Sequence, residues 1–230
     1  MNAIFKTLIV TTALILSVDG TQKTALLSDQ SKLTYTITDN KTLNGAYILS
    51  TPDDKMSLRG AYKDGVRVGN WYAFNPDGSI FLRYNYDLKK LISIDTVAIG
   101  HARFTIAGAN EEVKNAATIP VPICSIEQYM SIVGSEFERK IRQENKSVDG
   151  SINADLTATV DANGRARYTA FYVIEGVKTS KKIIVNEKMF DLEWIPATYK
   201  GEKLAGTFTV NMDVNFRPDL TKRQRFIWNY

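Results

Sequence analysis

The sequence predicts an α+β fold, in which an N-terminal array of β-hairpins precedes a domain with a small antiparallel sheet and two helices. Three features lead to this prediction: an internal repeat in the first half, two amphipathic helical segments in the second half, and a long alternating segment near the C-terminus. The chain has 230 residues, of which 44% are hydrophobic and 23% charged. This length and composition are typical of a globular protein that buries a substantial core.

Residues 1–20 have the pattern of a secretory signal peptide. Lys6 precedes an apolar run over residues 8–16, and Val18 and Gly20 place small residues at the −3 and −1 positions of a cleavage site before Thr21. The run is shorter than the about 20 apolar residues that a spanning helix needs. We therefore predict a cleaved signal and a periplasmic or secreted protein. An uncleaved membrane anchor stays the alternative.

The first half contains a repeat, because residues 45–68 align with residues 69–92 at an offset of 24. The identical positions are Gly45 and Gly69, Pro52 and Pro76, Asp53 and Asp77, Leu58-Arg59 and Leu82-Arg83, and Tyr62 and Tyr86. Each unit has two short β-prone segments around a Pro-Asp turn, which predicts a hairpin. Isolated hairpins bury too little surface, so the units are expected to stack over residues 21–95, with residues 33–37 as a cap or a third unit.

The repeat resembles the MORN-variant, antitoxin-type repeats of secreted bacterial proteins over about residues 43–92. The resemblance depends on Tyr62-Lys63-Asp64-Gly65, on Gly69-x-Trp71-Tyr72 and on Pro76-Asp77-Gly78. The first unit departs from the pattern, with Tyr47 in place of Trp and Asp54 in place of Gly. Two interpretations of the aromatic residues stay open: Trp71, Tyr72 and Phe74 form a surface for partner or carbohydrate contact, or they form the core of the array.

The second half begins after a connecting segment, residues 96–122, which is polar and rich in alanine before Pro120 and Pro122. In the domain at 123–230, helical periodicity with Ser125 as N-cap predicts a helix over 125–143. A hairpin is predicted from the alternation over 151–160 and 165–174 around an Asn-Gly turn. A second helix is expected at about 180–193, ending before Pro196.

The last strand is predicted from strict alternation between Gly206 and Phe216. Its polar positions are Thr207, Thr209, Asn211, Asp213 and Asn215. A terminal strand pairs on one side only, so its free N–H and C=O groups are able to receive another chain, and we predict these five residues as partner-binding.

The second half is similar to the C-terminal domain of TonB over about residues 128–217. The similarity rests on Val160-Asp161-x-x-Gly164, on Trp194-x-Pro196-Ala197 and on the closing strand over 208–216. It implies an α+β periplasmic module that binds an extended peptide of an envelope or outer-membrane protein by strand addition. The chain has only six prolines and no Pro-rich spacer, which favours a relative that borrows the fold. The alternatives are an energy transducer or accessory of an outer-membrane transporter, and a cell-wall or glycan binder or hydrolase that uses the repeat aromatics.

Few residues suggest catalysis or metal binding. The sequence has one histidine, His101, and one cysteine, Cys124. A zinc site needs several such ligands and a Ser-His-Asp set cannot be recognised from spacing, so we predict a non-enzymatic protein without metal or cofactor. The net charge of +4 comes without a Lys/Arg stripe, so no nucleic-acid partner is expected.

The C-terminal tail mixes basic and aromatic residues. Arg223, Arg225 and Trp228 are candidates for contact with a lipid or cell-wall surface. Alternation from Arg225 onward also suits a short extra strand that packs back on the sheet. Both interpretations stay open.

Overall fold

The fold is rich in β-structure. The computed structural model describes residues 20–108, 110–145, 148–186, 190–216 and, for the backbone only, 226–228. Strands account for 51% and helices for 15% of the described residues. The α+β prediction is therefore wrong. Residues 1–19 of the signal predicted over 1–20, Arg223, Arg225 and the side chain of Trp228 lie outside the described residues.

Residues 21–94 form a seven-stranded antiparallel sheet in which each strand pairs with the next one along the chain. The strands are β1 (Thr21–Leu26), β2 (Lys32–Ile37), β3 (Leu43–Ser50), β4 (Met56–Lys63), β5 (Val66–Phe74), β6 (Ile80–Asn85) and β7 (Lys90–Ile94). One face of this first sheet buries apolar side chains such as Leu33, Leu49, Leu58 and Leu82, each 0% exposed. The opposite face is called the outer face of the first sheet below.

The 24-residue repeat is visible in the backbone and extends over three units. At one end of the sheet, three turns are closed by equivalent N–H to C=O bonds: Leu27 to Ser31 (2.9 Å), Thr51 to Lys55 (2.8 Å) and Asn75 to Ser79 (2.9 Å). The positive φ angles follow the same spacing, at Gln30, Asp54 and Gly78 in these turns and at Lys41, Gly65 and Lys89 at the other end. The backbone period therefore persists where the sequence identity is lost, and residues 33–37 belong to a complete first hairpin unit.

The remaining elements follow in chain order. They are α1 (Thr96–Ile99), β8 (Arg103–Ile106), α2 (Glu111–Ala116), β9 (Val121–Pro122), α3 (Ile126–Glu144), β10 (Ser151–Val160), β11 (Ala166–Ile174), β12 (Val177–Ile183), β13 (Trp194–Ile195), β14 (Ala197–Tyr199), β15 (Glu202–Leu204), β16 (Gly206–Asn215) and β17 (Phe226–Trp228). The segment 96–122, which we expected as a connection, thus includes β8, and β8 is a strand of the second sheet.

The second sheet has the order β12-β11-β10-β16-β17, with β8 also paired to β16. Its inner face packs against α3, where the Phe137 and Tyr172 ring centroids are 5.0 Å apart and those of Tyr129 and Phe208 are 5.7 Å apart. The predicted alternation of the last strand is confirmed, because its apolar side chains at positions 208, 210, 212, 214 and 216 are all 0% exposed. The first helix is confirmed as well, with the Ser125 hydroxyl accepting from the Gln128 N–H at 3.1 Å.

The second predicted helix, at about 180–193, is wrong. Glu175 and Gly176 adopt positive φ angles of 51° and 77° and form a two-residue hairpin turn. This turn pairs β12 with β11 from Val177 to Ile183, and the described residues 184–186 and 190–193 are not helical. The apolar spacing that favoured a helix competes with a strong local turn, and the turn determines the structure. Among the described residues, no helix has the length and apolar character needed to cross a membrane.

The close packing of Trp71 on Gly60 gives a stability prediction. A Cβ atom added at Gly60 would overlap the indole ring of Trp71, which is fully buried. We expect Gly60→Ala to lower the free energy of unfolding by about 1–3 kcal/mol, as overpacked cores do, measured by urea unfolding. Ser93→Thr adds a methyl group on an exposed position of the same sheet and is expected to change stability by less than about 0.5 kcal/mol. Equal stability of the two variants would contradict the packing argument.

Candidate functional site

The strand predicted to be the last, β16, has no free edge of useful length. Along one side it pairs with β10 from Gly206 to Asn215. Along the other side β8 pairs with Gly206–Thr209, and β17 pairs with Met212–Val214. The expectation of a free β16 edge is therefore wrong. Alternation specifies which face of a strand is buried, but it carries no information about which strands lie beside it.

The five predicted partner-binding residues of β16 all point to the solvent-facing side of the second sheet, where most of them bond to neighbouring strands. Thr207 and Thr209 hydroxyls lie 2.8 and 2.9 Å from those of Thr105 and Thr157. Asn211 Nδ2 donates to Asp155 Oδ1 at 2.8 Å and to Asn153 Oδ1 at 3.0 Å, and Asn153 Nδ2 donates to Asp213 Oδ1 at 2.9 Å. Cross-strand pairs of this kind stabilise a sheet, which gives these side chains a structural role. Asn215 lies on the same face.

The longest unpaired edge of the second sheet within the described residues is β12, because the opposite margin consists of the short strands β8 and β17. Within the described residues, β12 pairs only with β11. Because a two-residue turn closes this hairpin, hydrogen-bonded and non-hydrogen-bonded pairs alternate from Ile174 and Val177 onward. The backbone groups of Lys178, Ser180 and Lys182 therefore point away from β11. The Lys182 carbonyl accepts from Lys140 Nζ at 3.0 Å, so α3 covers one end of the edge only.

Positive charge and apolar side chains surround this edge. Lys178 and Lys182 are exposed, whereas Lys181 forms an ion pair with Glu144 at 2.6 Å. On the solvent-facing side of β11, Phe171 is 49% and Val173 52% exposed. We define the β12 edge as Val177–Ile183 together with these two residues.

The predicted aromatic residues of the repeat separate into two groups. Trp71 is 0% exposed, with ring centroids 5.4 to 5.5 Å from those of Tyr47, Tyr62 and Tyr86. The expectation that Trp71 contacts a partner is wrong for the folded protein, because the indole belongs to the core. Tyr72 and Phe74 lie on the outer face, with their centroids 6.5 Å apart and their rings tilted by only 24°.

The buried aromatic group encloses Arg67, whose side chain is 6% exposed. Its guanidinium carbon is 4.5 Å from the Trp71 ring centroid. The guanidinium nitrogens donate to the Tyr62 hydroxyl at 2.9 Å, to the Tyr86 hydroxyl at 2.8 Å and to the Asp191 carbonyl at 3.2 Å. The guanidinium also forms an ion pair with Glu193 at 3.2 Å. Burial raises the pKa of the Tyr86 hydroxyl, which donates to Glu193 at 2.7 Å. Arg67 thus joins the two halves of the protein.

Arg67 is not among the residues predicted from the sequence, although the repeat contains a signal for it. At the 24-residue offset, Arg67 is equivalent to Leu43 and Leu91, both partly buried. A single arginine at a leucine position of a repeat indicates a buried charge that must find partners elsewhere in the chain.

A cleft of about 220 Å³ lies where the first sheet meets the N-terminus of α3. Its lining includes Ser31, Ser57, Asn75 and Glu127. Glu127 Oε2 is buried without a hydrogen-bond partner among the described residues, and burial raises the pKa of this carboxyl group.

The surroundings of the other candidate reactive groups do not indicate catalysis or metal binding. Cys124 is 0% exposed, and burial raises the pKa of its thiol, which keeps it protonated. No group of three or more His, Cys, Asp or Glu residues in the described ranges is arranged to hold a metal ion. His101 lies in a turn after α1.

No protein-family model matches the chain, and neither a curated protein nor a solved structure does. The similarities to MORN-variant repeats and to the TonB C-terminal domain therefore remain expectations that rest on the quoted residues alone.

Replacing Arg67 tests its role in joining the two halves. Lysine keeps the charge but loses the planar set of donors that contacts Tyr62, Tyr86 and the Asp191 carbonyl. We expect Arg67→Lys to lower the free energy of unfolding by about 2 kcal/mol or more, measured by urea unfolding. The exposed Arg165→Lys is the matched control and is expected to stay within about 0.5 kcal/mol of the original. An unchanged midpoint for Arg67→Lys would refute the assignment.

Glu127 gives a pH-dependent prediction. Its pKa is higher in the folded than in the unfolded protein, so the folded state loses stability as pH rises above the ordinary value of 4.5 and the carboxyl group ionises. We expect Glu127→Gln to be more stable than the original protein at pH 7, by on the order of 1 kcal/mol, with the difference vanishing below about pH 4. Urea unfolding at both pH values measures this. A stability difference independent of pH, or the same behaviour in the exposed Glu202→Gln, would contradict it.

Proposed function

We propose that this protein is a non-enzymatic, exported interaction module that binds an extended peptide segment of an envelope protein as an additional strand at the β12 edge. The single observation that carries the proposal is that β12, at one margin of the second sheet and longer than β8 or β17 at the other, leaves one side unpaired within the described residues. Export is inferred from the sequence of residues 1–20, which has the pattern of a cleavable signal peptide.

The backbone of β12 supplies the binding groups. Lys178 and Ser180 direct both an N–H and a C=O group away from β11, and Lys182 directs an N–H group the same way. An extended peptide of about five residues satisfies these groups by continuing the antiparallel ladder. Because the Lys182 carbonyl already accepts from Lys140, the peptide is expected to pair mainly along residues 178–181.

The side chains of β12 favour an acidic peptide. Lys178 and Lys182 project on the solvent-facing side, where an added strand places every second side chain beside them. Opposite charges at directly opposed positions stabilise strand pairs by about 0.2–1 kcal/mol each. Lysines on an edge strand also oppose pairing with strands of other composition, because a basic or uncharged strand forms no ion pair with them. The proposed ligand is therefore an extended segment with acidic residues at alternate positions.

A proline substitution tests strand addition directly. Ser180 is exposed and its N–H points away from the ladder, so Ser180→Pro removes an edge donor while the β11 pairing stays possible. Peptides are first selected on the original protein from a displayed random library. We expect Ser180→Pro to weaken binding of the selected acidic peptides about tenfold or more, measured by fluorescence anisotropy.

Ser180→Ala is the matched control, since it shortens the side chain but keeps the backbone donor. It is expected to bind the selected peptides as the original protein does, and circular dichroism verifies that both variants are folded. Peptide affinity that is the same for the proline and alanine variants would show that β12 does not receive a strand. Hydrogen exchange offers a second measurement, because the Ser180 amide is expected to slow when a peptide is bound.

A further inference from the structure

The seven strands of the first sheet have an unusual distribution of charge. None of the seven strands contains Asp or Glu. Their Lys and Arg residues are Lys23, Lys32, Arg59, Lys63, Arg67, Arg83 and Lys90. The carboxylates of residues 20–95 lie outside the strands, at Asp29, Asp39, Asp53, Asp54, Asp64, Asp77, Asp87 and Asp95. The strands therefore carry positive charge alone, and negative charge is confined to the two ends of the sheet.

Arg59, Tyr72 and Arg83 form one row across three neighbouring strands on the outer face of the first sheet. Tyr72 is paired with Arg59 of β4 and with Arg83 of β6. The two guanidinium carbons lie 4.8 and 5.6 Å from the centroid of the Tyr72 ring, which holds both groups in place by cation–π contact. Within the described residues, neither guanidinium forms an ion pair with a carboxylate, so both keep donors for an external anion.

The flanks of the row are an aromatic ring on one side and amides on the other. Phe74 lies next to Tyr72 along β5 and is 5.9 Å from the Arg59 guanidinium carbon. On the other side, Asn70 Oδ1 accepts from Arg83 Nε at 3.2 Å and from Asn85 Nδ2 at 3.0 Å. These bonds orient the amides and leave the Nδ2 group of Asn70 available to donate.

The spacing of the arginines follows from the repeat. Arg59 and Arg83 are 24 residues apart and occupy equivalent positions two strands from each other. Two strand intervals amount to about 10 Å, because neighbouring strands lie about 4.8 Å apart. This length is similar to one disaccharide of an extended polysaccharide chain.

We propose that the Arg59–Tyr72–Arg83 row, with Phe74 and Asn70, is a binding site for a carboxylate-bearing polysaccharide that crosses the strands of the first sheet. The guanidinium groups bind carboxylates of successive disaccharides in forked geometry. The Tyr72 and Phe74 rings contact the C–H faces of the sugars, and the Asn70 amide donates to their hydroxyl groups.

Two features favour a polysaccharide over a peptide. The row lies on interior strands that pair with a neighbour on both sides, so the backbone offers no open edge along which to pair an extended peptide. Recognition must come from side chains, and amide, guanidinium and aromatic groups together match a ligand made of hydroxyls, carboxylates and C–H faces. This site is separate from the β12 edge, so the inference does not depend on the proposed function.

The test measures binding of the full chain to polygalacturonate by isothermal titration calorimetry. We expect Arg59→Gln/Arg83→Gln to bind at least about tenfold more weakly than the original protein, because two charge-assisted contacts are lost. Tyr72→Ala is expected to weaken binding as well, since it removes both the sugar contact and the support of the arginines. Binding by the original protein is expected to fall at high salt, as screening requires.

The matched control is Arg165→Gln/Arg167→Gln, which removes the same charge from exposed positions of the second sheet and is expected to bind as the original protein does. Ser180→Pro is expected to bind polygalacturonate normally, which separates this site from the β12 edge. Equal loss in both arginine pairs would overturn the proposal, because net charge alone would then explain binding. Polyglutamate or phosphatidylglycerol vesicles that bind as tightly, with the same loss in Arg59→Gln/Arg83→Gln, would overturn the assignment to a polysaccharide.

Discussion

The architecture depends on how one buried guanidinium, that of Arg67, is satisfied. A charge in a low-dielectric core is costly unless hydrogen bonds and an opposite charge surround it. The first sheet supplies two tyrosine hydroxyls and the Trp71 ring, but no carboxylate, because its strands contain none. The carboxylate comes from Glu193, and a further acceptor from the Asp191 carbonyl, both in the second half. The Arg67 guanidinium of the first sheet therefore has all of these partners only when the second half is in place.

A second polar contact between the halves has the same character. Gln128, near the start of α3, donates to Asp29 Oδ2 at 3.0 Å, and Asp29 accepts from the Ser31 hydroxyl at 2.7 Å. All three residues are buried, so each group must keep its partner. Around these contacts, apolar side chains of both halves form one continuous core. Directional polar contacts of this kind specify one relative arrangement, whereas apolar packing alone tolerates several.

The pairing of strands in the two sheets decides which backbone and side-chain groups are available to bind a ligand. The second sheet pairs both of its ten-residue strands, β10 and β16, on two sides and leaves β12 at one margin. Within the described residues the first sheet has unpaired edges at β1 and β7, but its interior strands present side chains only, and those of the outer face include basic, aromatic and amide groups. The two surfaces differ in the chemistry that they offer: backbone hydrogen bonds at β12, and oriented side chains on the outer face. Two unlike ligands are compatible with one rigid scaffold.

The amino-acid sequence by itself determined the local elements, because their signals lie within a few residues. The cap at Ser125, the alternation over 206–216, the hairpin of β10 and β11 and the 24-residue repeat were all predictable, and the structure contains them. The tertiary structure decided which strands lie side by side and which side chains are enclosed, because the periodicity of the sequence does not specify these. β8 and a tail strand occupy the second side of β16, a Glu-Gly turn converts an expected helix into β12, and Trp71 is enclosed by neighbouring repeats. These outcomes depend on which distant segments meet, and the free energy of burying a strand edge or a guanidinium is defined only once both partners are present.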